Sequence, residues 1–344
     1  MKNQNPAKIM YEKMAKIQPK MRYKGDIPFE QWQQIARKKL YELLGLKYME
    51  KCDFNFAIEH EKDCKSHIEI RFTFQSEPGY YIPCYILVPK NLSKPAPPMI
   101  CVQGHSTGMH ISLGNQKFPT DKEFLSITDR AFALVALKHG FCPVVIEQRY
   151  MGECGGDEQG PGCCAHGRKN TASALPSLLL GRCAIGERVW DISRLIDVIS
   201  KKFSNIIDIN KISCMGSSGG GTATYYATCI DERIKNAISA CSVCTYKDSI
   251  VALYHCPCNY IPSIAQYFDM GDLGGLIAPR NLVVFAGRYD KIFPINGVEE
   301  SMKIINKLYR HAGCEKNATL VVGDVEHQFC AEPSYNALKK LIMT

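Results

Sequence analysis

The stretch Lys211-Ile-Ser-Cys-Met-Gly-Ser-Ser-Gly-Gly-Gly-Thr222 gives the strongest indication of fold in this chain of 344 residues. The run Ile212 to Met215 is typical of a buried strand, and Thr222 to Ile230 is small and apolar enough to begin a helix. Between them, residues 216–220 match the pattern G-x-S-x-G, with Ser218 at its centre. A strand, a tight glycine-rich turn and a helix together predict a nucleophile elbow, which presents a serine hydroxyl above a sheet.

Two other interpretations of this stretch are weighed against the elbow. Ser217 does not fit the central position, because the residue two places before it is Met215. Glycine- and serine-rich turns after strands also cradle phosphates, so the five-residue pattern alone leaves that role open. The flanks favour the elbow, since a helix that begins behind the serine directs N–H groups and its positive dipole end at developing negative charge.

The overall composition is that of an ordinary globular protein, with 46% apolar and 22% charged residues. The net charge of +8 is spread along the chain and no nucleic-acid motif accompanies it, so we expect no nucleic-acid partner. The odd count of 17 cysteines argues against a disulfide framework and favours reduced thiols. The chain begins without an apolar signal region and has no run of about 20 apolar residues, so we expect a cytoplasmic protein without membrane contact.

Strand and helix patterns alternate along the chain and predict an α/β fold with a doubly wound, mostly parallel sheet. Residues 1–65 are predicted to be an N-terminal helical extension, and residues 66–344 the α/β domain. Residues 150–172 form a glycine- and cysteine-rich loop, which we expect to build a wall of the pocket. The strands His67–Gln75 and Gly79–Val88 are predicted to pair as a hairpin. The later strands are short apolar runs, typical of a sheet covered on both faces: Met99–Val102, Pro143–Glu147, Ala237–Val243, Leu282–Ala286 and Thr319–Val322. The predicted helices are Phe29–Leu46, Phe132–His139, Gly186–Ile199, Val298–His311 and Ser334–Met343.

A serine nucleophile needs a general base, and the base needs an orienting carboxylate. Asp290 and His327 each come just past a predicted strand, at the edge where open α/β sheets place their sites. Asp324 and Glu326 stay open as alternative acids, because they lie next to His327 in the sequence. We predict that Ser218 is the nucleophile, Asp290 the acid and His327 the base.

The oxyanion of such a reaction needs two backbone N–H donors. Gly219, the residue after the nucleophile, is the first candidate, and the loop Gln103-Gly104-His105 after an early strand offers the second through the N–H of His105. The alternative is that His105 and His110 are ordinary polar loop residues with no role in the site. The pair Cys256-Pro-Cys258 predicts no metal site, because a lone C-x-C lacks the second pair of ligands of a structural zinc site.

Several longer segments are similar to those of a known family: Leu180-Gly-Arg-Cys-Ala-Ile-Gly-Glu-Arg-Val-Trp-Asp191, Cys214-Met-Gly-Ser-Ser-Gly-Gly-Gly221, His255-Cys-Pro-Cys-Asn-Tyr-Ile-Pro262, Tyr267-Phe-Asp-Met270 and Leu276-Ile-Ala-Pro-Arg280. With the Asp290 and His327 segments, they make residues 67–335 resemble the acetyl xylan esterase-like branch of the α/β-hydrolase superfamily. The resemblance implies an α/β-hydrolase fold and a serine esterase that uses neither a metal nor an organic cofactor. It assigns the nucleophile, acid and base to Ser218, Asp290 and His327, in the superfamily's chain order. The sequence departs from many relatives at Gln103-Gly-His, where they have His-Gly.

These observations predict a serine carboxylic ester hydrolase that removes acetyl or another short acyl group from a small polar or carbohydrate-like substrate. The residues expected to contact that substrate are Gly104, His110, His255 and Tyr260. An amide or peptide bond hydrolase with the same triad, an acyltransferase and a non-catalytic binding protein of this fold are the alternatives. The aromatic segment Tyr254–Phe268 either lines the pocket or packs a subunit contact, so a homo-oligomer stays open.

Overall fold

The computed structural model describes residues 5–90, 92–126, 129–155 and 174–343. The strands within these residues are Ala57–Asp63 (β1), His67–Glu77 (β2), Tyr80–Pro89 (β3), Pro98–Val102 (β4), Cys142–Ile146 (β5), Ser213–Ser217 (β6), Asn236–Ala240 (β7), Asn281–Gly287 (β8) and Ala318–Gly323 (β9). The helices are Pro6–Lys16 (α1), Phe29–Leu43 (α2), Asp121–Ser126 (α3), Phe132–Lys138 (α4), Pro176–Leu179 (α5), Ala184–Lys202 (α6), Gly219–Ile230 (α7), Met270–Leu273 (α8), Ile295–His311 (α9) and Ala331–Met343 (α10).

The strands form one sheet in the order β1-β2-β3-β5-β4-β6-β7-β8-β9. From β5 to β9 in this order the strands pair in parallel, whereas the pairs β1–β2, β2–β3 and β3–β5 are antiparallel. Every residue of β4, β5, β6 and β7 is buried, which explains their continuous apolar character. The predicted mostly parallel α/β sheet and the β2–β3 hairpin are confirmed.

Two hydrophobic clusters lie on opposite faces of the sheet. The larger cluster contains the buried sides of α2, α6, α7 and α9, with Trp32, Leu195, Tyr225 and Ile305 among its members. The smaller cluster contains those of α4 and α10, for example Phe132 and Tyr335. Helices therefore cover both faces, so the parallel strands carry their functional loops at the sheet edge.

The first 65 residues do not form a purely helical extension. Residues 57–63 are the edge strand β1, which pairs with β2. All seven of its side chains are exposed and most are charged, so the apolar alternation that reveals a strand is missing. Helix α2 belongs to the main core: the Arg37 guanidinium donates to the carbonyl oxygens of Cys229 (3.0 Å) and Leu276 (2.9 Å). The Cys229 contact places a cation at the carboxyl end of α7, where the helix dipole favours it.

Candidate active site

Ser218 lies in the turn between β6 and α7, with φ 56° and ψ −125°. A non-glycine residue persists in such a conformation only where its surroundings hold it there. Strand and helix approach so closely that a Cβ atom on Gly216 would lie 2.4 Å from the carbonyl carbon of Gly220. A Cβ atom on Gly220 would lie 2.1 Å from the carbonyl oxygen of Val102. Both glycines of the pattern are therefore required by backbone contact.

The structure brings Ser218, His327 and Asp290 together. Nε2 of His327 lies 2.8 Å from Oγ of Ser218, and Nδ1 of the same ring lies 2.7 Å from Oδ2 of Asp290. The other carboxylate oxygen of Asp290 accepts the backbone N–H groups of Ile292 (2.7 Å) and Phe293 (3.1 Å). These bonds hold a buried carboxylate against the imidazole, and this arrangement allows a histidine to take a proton from a serine.

The alternative acids lie elsewhere. Asp324 is exposed and pairs with Arg288, whose Nε lies 2.7 Å from Oδ1. Glu326 is exposed as well. Among the described residues, Asp290 is the candidate acid whose carboxylate bonds the imidazole of His327. The loop after β8 therefore supplies the acid, and the loop after β9 supplies the histidine.

His255 reaches the site through an aromatic contact. The ring of Phe293 stacks on His327, with centroids 5.9 Å apart and planes 15° apart, and His255 meets Phe293 edge-on at 5.6 Å. His255 is buried, and its Nε2 lies 3.1 Å from Oγ of Ser249. Tyr260 is 42% exposed, and its hydroxyl donates to the carbonyl oxygen of Ile250 at 3.4 Å. Contact of either residue with substrate stays a prediction.

The loop after β4 passes directly beside the nucleophile. A Cβ atom on Gly104 would lie 3.2 Å from Cβ of Ser218, and one on Gly219 would lie 2.8 Å from Cε1 of His105. The same position on Gly219 is 3.5 Å from Cε of Met151. The two predicted oxyanion donors, Gly219 and His105, thus lie on neighbouring backbone segments at the amino end of α7, where the helix dipole favours negative charge.

His110 lies further along the same connection, in the short helical turn Met109–Leu113. Its side chain is buried, and Nε2 lies 2.8 Å from Oδ2 of Asp121. Asp121 also accepts the backbone N–H groups of Lys117 and Phe118, each at 2.8 Å. Burial lowers the pKa of His110 despite the neighbouring carboxylate. These hydrogen bonds hold the loop in place, and contact of His110 with substrate stays a prediction.

Two residues directly after β5 hold the loop that follows β4 in place, and sequence reasoning missed both. This loop, residues 103–109, is called the oxyanion loop because it carries His105. The carboxyl group of Glu147 accepts the backbone N–H of Met109 at 3.1 Å, and Gln148 Nε2 donates to the carbonyl oxygen of Gln103. A polar pair directly after an apolar strand, at the active-site edge, was the available signal. Residues 156–172 of the predicted loop 150–172 lie outside the described residues.

Glu147 gives a prediction about pH. Burial raises the pKa of its carboxyl group from 4.5 to about 8, so the folded protein retains a proton that the unfolded chain releases. The free energy of unfolding therefore falls as pH rises from about 4.5 to 8. We expect Glu147→Gln, which carries no titrating group, to gain stability relative to wild type over this window, by an amount of the order of 4 kcal/mol. Urea unfolding at pH 5, 6.5 and 8 measures the change.

Glu153 is the control of opposite sign. Its burial is outweighed by hydrogen bonds from Arg71 and Lys117, which lower the pKa of its carboxyl group to about 2. Glu153→Gln should therefore lose stability relative to wild type at every pH above about 4.5, because the favoured charge is gone. A constant difference between Glu147→Gln and wild type across the three pH values contradicts the assignment.

A second cluster lies against the same loop. The donor atoms of His105, Cys256 and Cys258 all lie within 4.8 Å of one another, and Cys258 Sγ is 3.4 Å from His105 Nε2. The hydrogen bond from Cys256 holds the pKa of the Cys258 thiol well below its usual value, and Arg188 and His105 act in the same direction. Sequence spacing missed this cluster because its histidine lies about 150 residues before the cysteines. Each of the 15 described cysteines is a free thiol.

A large cavity lies away from this chemistry. It has a volume of about 990 Å³ and is lined by Asn236 and Asn281, the first residues of β7 and β8, together with Arg310 and Lys316. Ser218, Asp290 and His327 follow the opposite ends of their strands. We place the candidate active site at Ser218, His327 and Asp290 rather than at this cavity, because the reaction requires a nucleophile and a base, and the described residues that line the cavity include no serine–histidine pair.

No helix within the described residues is long and apolar enough to span a bilayer.

A mostly parallel sheet with helices on both faces and a serine elbow after a central strand defines the α/β-hydrolase fold. Residues 6–319 match the Abhydrolase family, and the chain belongs to it. A curated relative, "Putative hydrolase YtaP" of Bacillus subtilis (strain 168), is 24% identical over 234 residues, which are 67% of this chain and 73% of that protein.

Among the solved structures that share this fold are those of three proteins named as esterases. A "putative acetyl xylan esterase" from Bacteroides fragilis NCTC 9343 has a TM-score of 0.76 at 15% identity, covering 98% of this chain and 90% of its own. A glucuronoyl esterase from Solibacter usitatus has a TM-score of 0.68 at 15% identity, with coverage of 96% and 98%. Methylesterase BT1017 has a TM-score of 0.68 at 18% identity, with coverage of 98% and 67%.

Proposed function

We propose that this hydrolase cleaves carboxylic esters and removes acetyl or another short acyl group from a small polar or carbohydrate-like substrate. The observation that carries the proposal is the relay in which His327 lies 2.8 Å from the hydroxyl of Ser218 and 2.7 Å from the carboxylate of Asp290. A hydroxyl in this setting is activated for attack on a carbonyl carbon.

The reaction proceeds in two halves. Nε2 of His327 accepts the Ser218 proton as Oγ bonds to the carbonyl carbon, and the same histidine then protonates the departing alcohol. A water molecule, deprotonated by His327, then attacks the acyl-enzyme, and His327 returns that proton to Oγ of Ser218 as the carboxylic acid leaves. In both halves the N–H groups of Gly219 and His105 stabilise the oxyanion, a contribution worth about 10²- to 10³-fold in kcat for one donor.

Crowding at the elbow favours a short acyl group. The ring of His105 and the methyl group of Met151 both lie within 3.5 Å of the position of a Cβ atom on Gly219. Gly219 is also the proposed oxyanion donor, so the acyl carbonyl is held where little room remains for a long chain. A flexible alcohol portion extends outward from the half-buried Ser218 instead.

The test is a substrate panel assayed with purified protein. It contains p-nitrophenyl esters of increasing acyl length, the matching acetyl anilide, an acetylated sugar and a methyl ester of a uronic acid. We expect the highest kcat/KM for acetyl or propionyl esters, with rates that fall as the acyl chain lengthens and negligible anilide cleavage. The acetylated sugar and the methyl uronate distinguish a small acyl group from a small alcohol.

Three results contradict the proposal. Comparable cleavage of anilide and ester favours the amide hydrolase. The absence of any turnover in a protein with a cooperative unfolding transition favours the non-catalytic interpretation. Fast cleavage of the methyl uronate alone places the small group on the alcohol side, and the short-acyl assignment is then wrong.

A further inference from the structure

We propose that His105, Cys256 and Cys258 bind one thiophilic divalent metal ion, of which Zn²⁺ is the best match, and that the ion clamps the oxyanion loop to the segment 256–258. Two cysteines and one histidine form a ligand set that zinc uses in proteins. The proposal concerns binding and loop stability and does not depend on the esterase activity.

The geometry of the three donor atoms fits a tetrahedral ion. Zinc binds sulfur at about 2.3 Å and nitrogen at about 2.0–2.1 Å, so tetrahedral coordination separates the two atoms by about 3.5 Å. Cys258 Sγ and His105 Nε2 lie 3.4 Å apart, and all three donors lie within 4.8 Å of one another. The short helical turn Pro257–Asn259 places both sulfurs on the side of His105. The ion could therefore enter with little movement, leaving a fourth position for water.

Arg188 provides a second and independent observation. Its side chain is 1% exposed, and Nε and Nη2 donate to the carbonyl oxygen of Arg149 at 3.1 and 2.9 Å. Its buried Nη1 has no hydrogen-bond partner within the described residues, although the charge acts on both Cys256 and Cys258. Metal-bound thiolates accept hydrogen bonds from such outer groups, so a buried guanidinium suits the site.

The three donor residues lie in two loops that are far apart in the sequence, so a bound ion would join these loops. Residue 105 lies in the loop after β4, and its ring packs on Gly219 at the start of α7. Cys256 and Cys258 lie in a different loop, about 150 residues later. An ion that joins them would stabilise the folded state over the unfolded chain by mass action and would fix the loop beside the nucleophile.

The experiment titrates reduced, chelator-treated full-length protein with Co²⁺ and then with Zn²⁺. We expect saturation at one Co²⁺ per chain, with thiolate-to-cobalt charge-transfer absorption that Zn²⁺ abolishes by displacement, and a Tm that rises with added Zn²⁺. Cys258→Ser and His105→Gln should each weaken binding by more than the roughly 10- to 100-fold loss typical of an outer-shell partner. Cys314→Ser, which alters a partly buried thiol after α9, should bind as wild type does.

Other outcomes overturn the proposal. The absence of the charge-transfer band in folded, fully reduced wild type excludes the site, as does an undiminished band in Cys258→Ser. Cys241, Asp290 and His327 also present three donors within 4.8 Å. A band that disappears in Cys241→Ser and persists in Cys258→Ser therefore places the ion at the relay instead. If Cys258→Ser fails to fold, His105→Gln decides the question, because the His105 side chain is half-buried and its replacement disturbs the core less.

Discussion

Ser218→Ala is expected to lower kcat for the best ester by about five orders of magnitude, while the free energy of unfolding stays close to that of wild type. The hydroxyl oxygen of Ser218 lies 2.8 Å from Nε2 of His327 and is the only non-hydrogen atom that this substitution removes. Without it no acyl-enzyme forms, and the oxyanion donors alone retain a small residual rate. Steady-state kinetics with p-nitrophenyl acetate, checked by active-site titration, measures the loss.

The adjacent serine is the matched control. Ser217 is the last residue of β6 and is buried, and Ser217→Ala removes a hydroxyl that takes no part in the relay. We expect its kcat to stay within about threefold of wild type, as is usual for a small change outside the reacting groups. Activity of Ser218→Ala above about one per cent of wild type would rule out the acyl-enzyme mechanism.

Asp290→Asn is expected to lower kcat by about 10⁴-fold at neutral pH. The asparagine oxygen can keep the N–H bonds of Ile292 and Phe293, so the loop holds. Its NH₂ group then faces Nδ1 of His327, which shifts the imidazole proton to Nε2. That nitrogen can no longer accept the Ser218 proton, and the loss therefore appears in kcat.

The control for Asp290 is the acid that the sequence left open. Asp324 is exposed and pairs with Arg288, so Asp324→Asn should change kcat by less than about threefold. The two variants are compared by kcat and kcat/KM over a pH series, with unfolding curves as a check on folding. An equal loss in Asp324→Asn would mean that the acid is assigned to the wrong loop.

The elbow and the parallel strands were predictable from sequence because each is a local pattern. G-x-S-x-G follows directly on an apolar run, and the histidine and acid each follow another one. Their chain order matches the triad order of this fold. The sequence favoured Asp290 over Asp324 without excluding the latter, and among the described residues the loop after β8 is the one that directs its carboxylate at Nδ1 of His327.

The features that sequence did not predict depend on contacts between distant segments. Strand β1 is polar on both faces, so nothing in its sequence distinguishes it from a loop. Glu147 acquires its role from the loop beside it, and His105 acquires its cysteine neighbours from a segment about 150 residues away. Periodicity reports which face of an element is buried, and it carries no information on which side chains meet across the fold.

The attachment of α2 has a consequence for the order in which the chain assembles during synthesis. Gln33 donates to the carbonyl oxygen of Gly275, 242 residues later, and Arg37 bonds Leu276 across a similar interval. Ribosomes add about 5–20 residues per second, so this helix leaves the exit tunnel some tens of seconds before its partners exist. During that time the face of α2 that carries Gln33 and Arg37 lacks its final partners, which gives a chaperone time to bind it. Helix α2 therefore completes its packing only after residues 275–278 have been made.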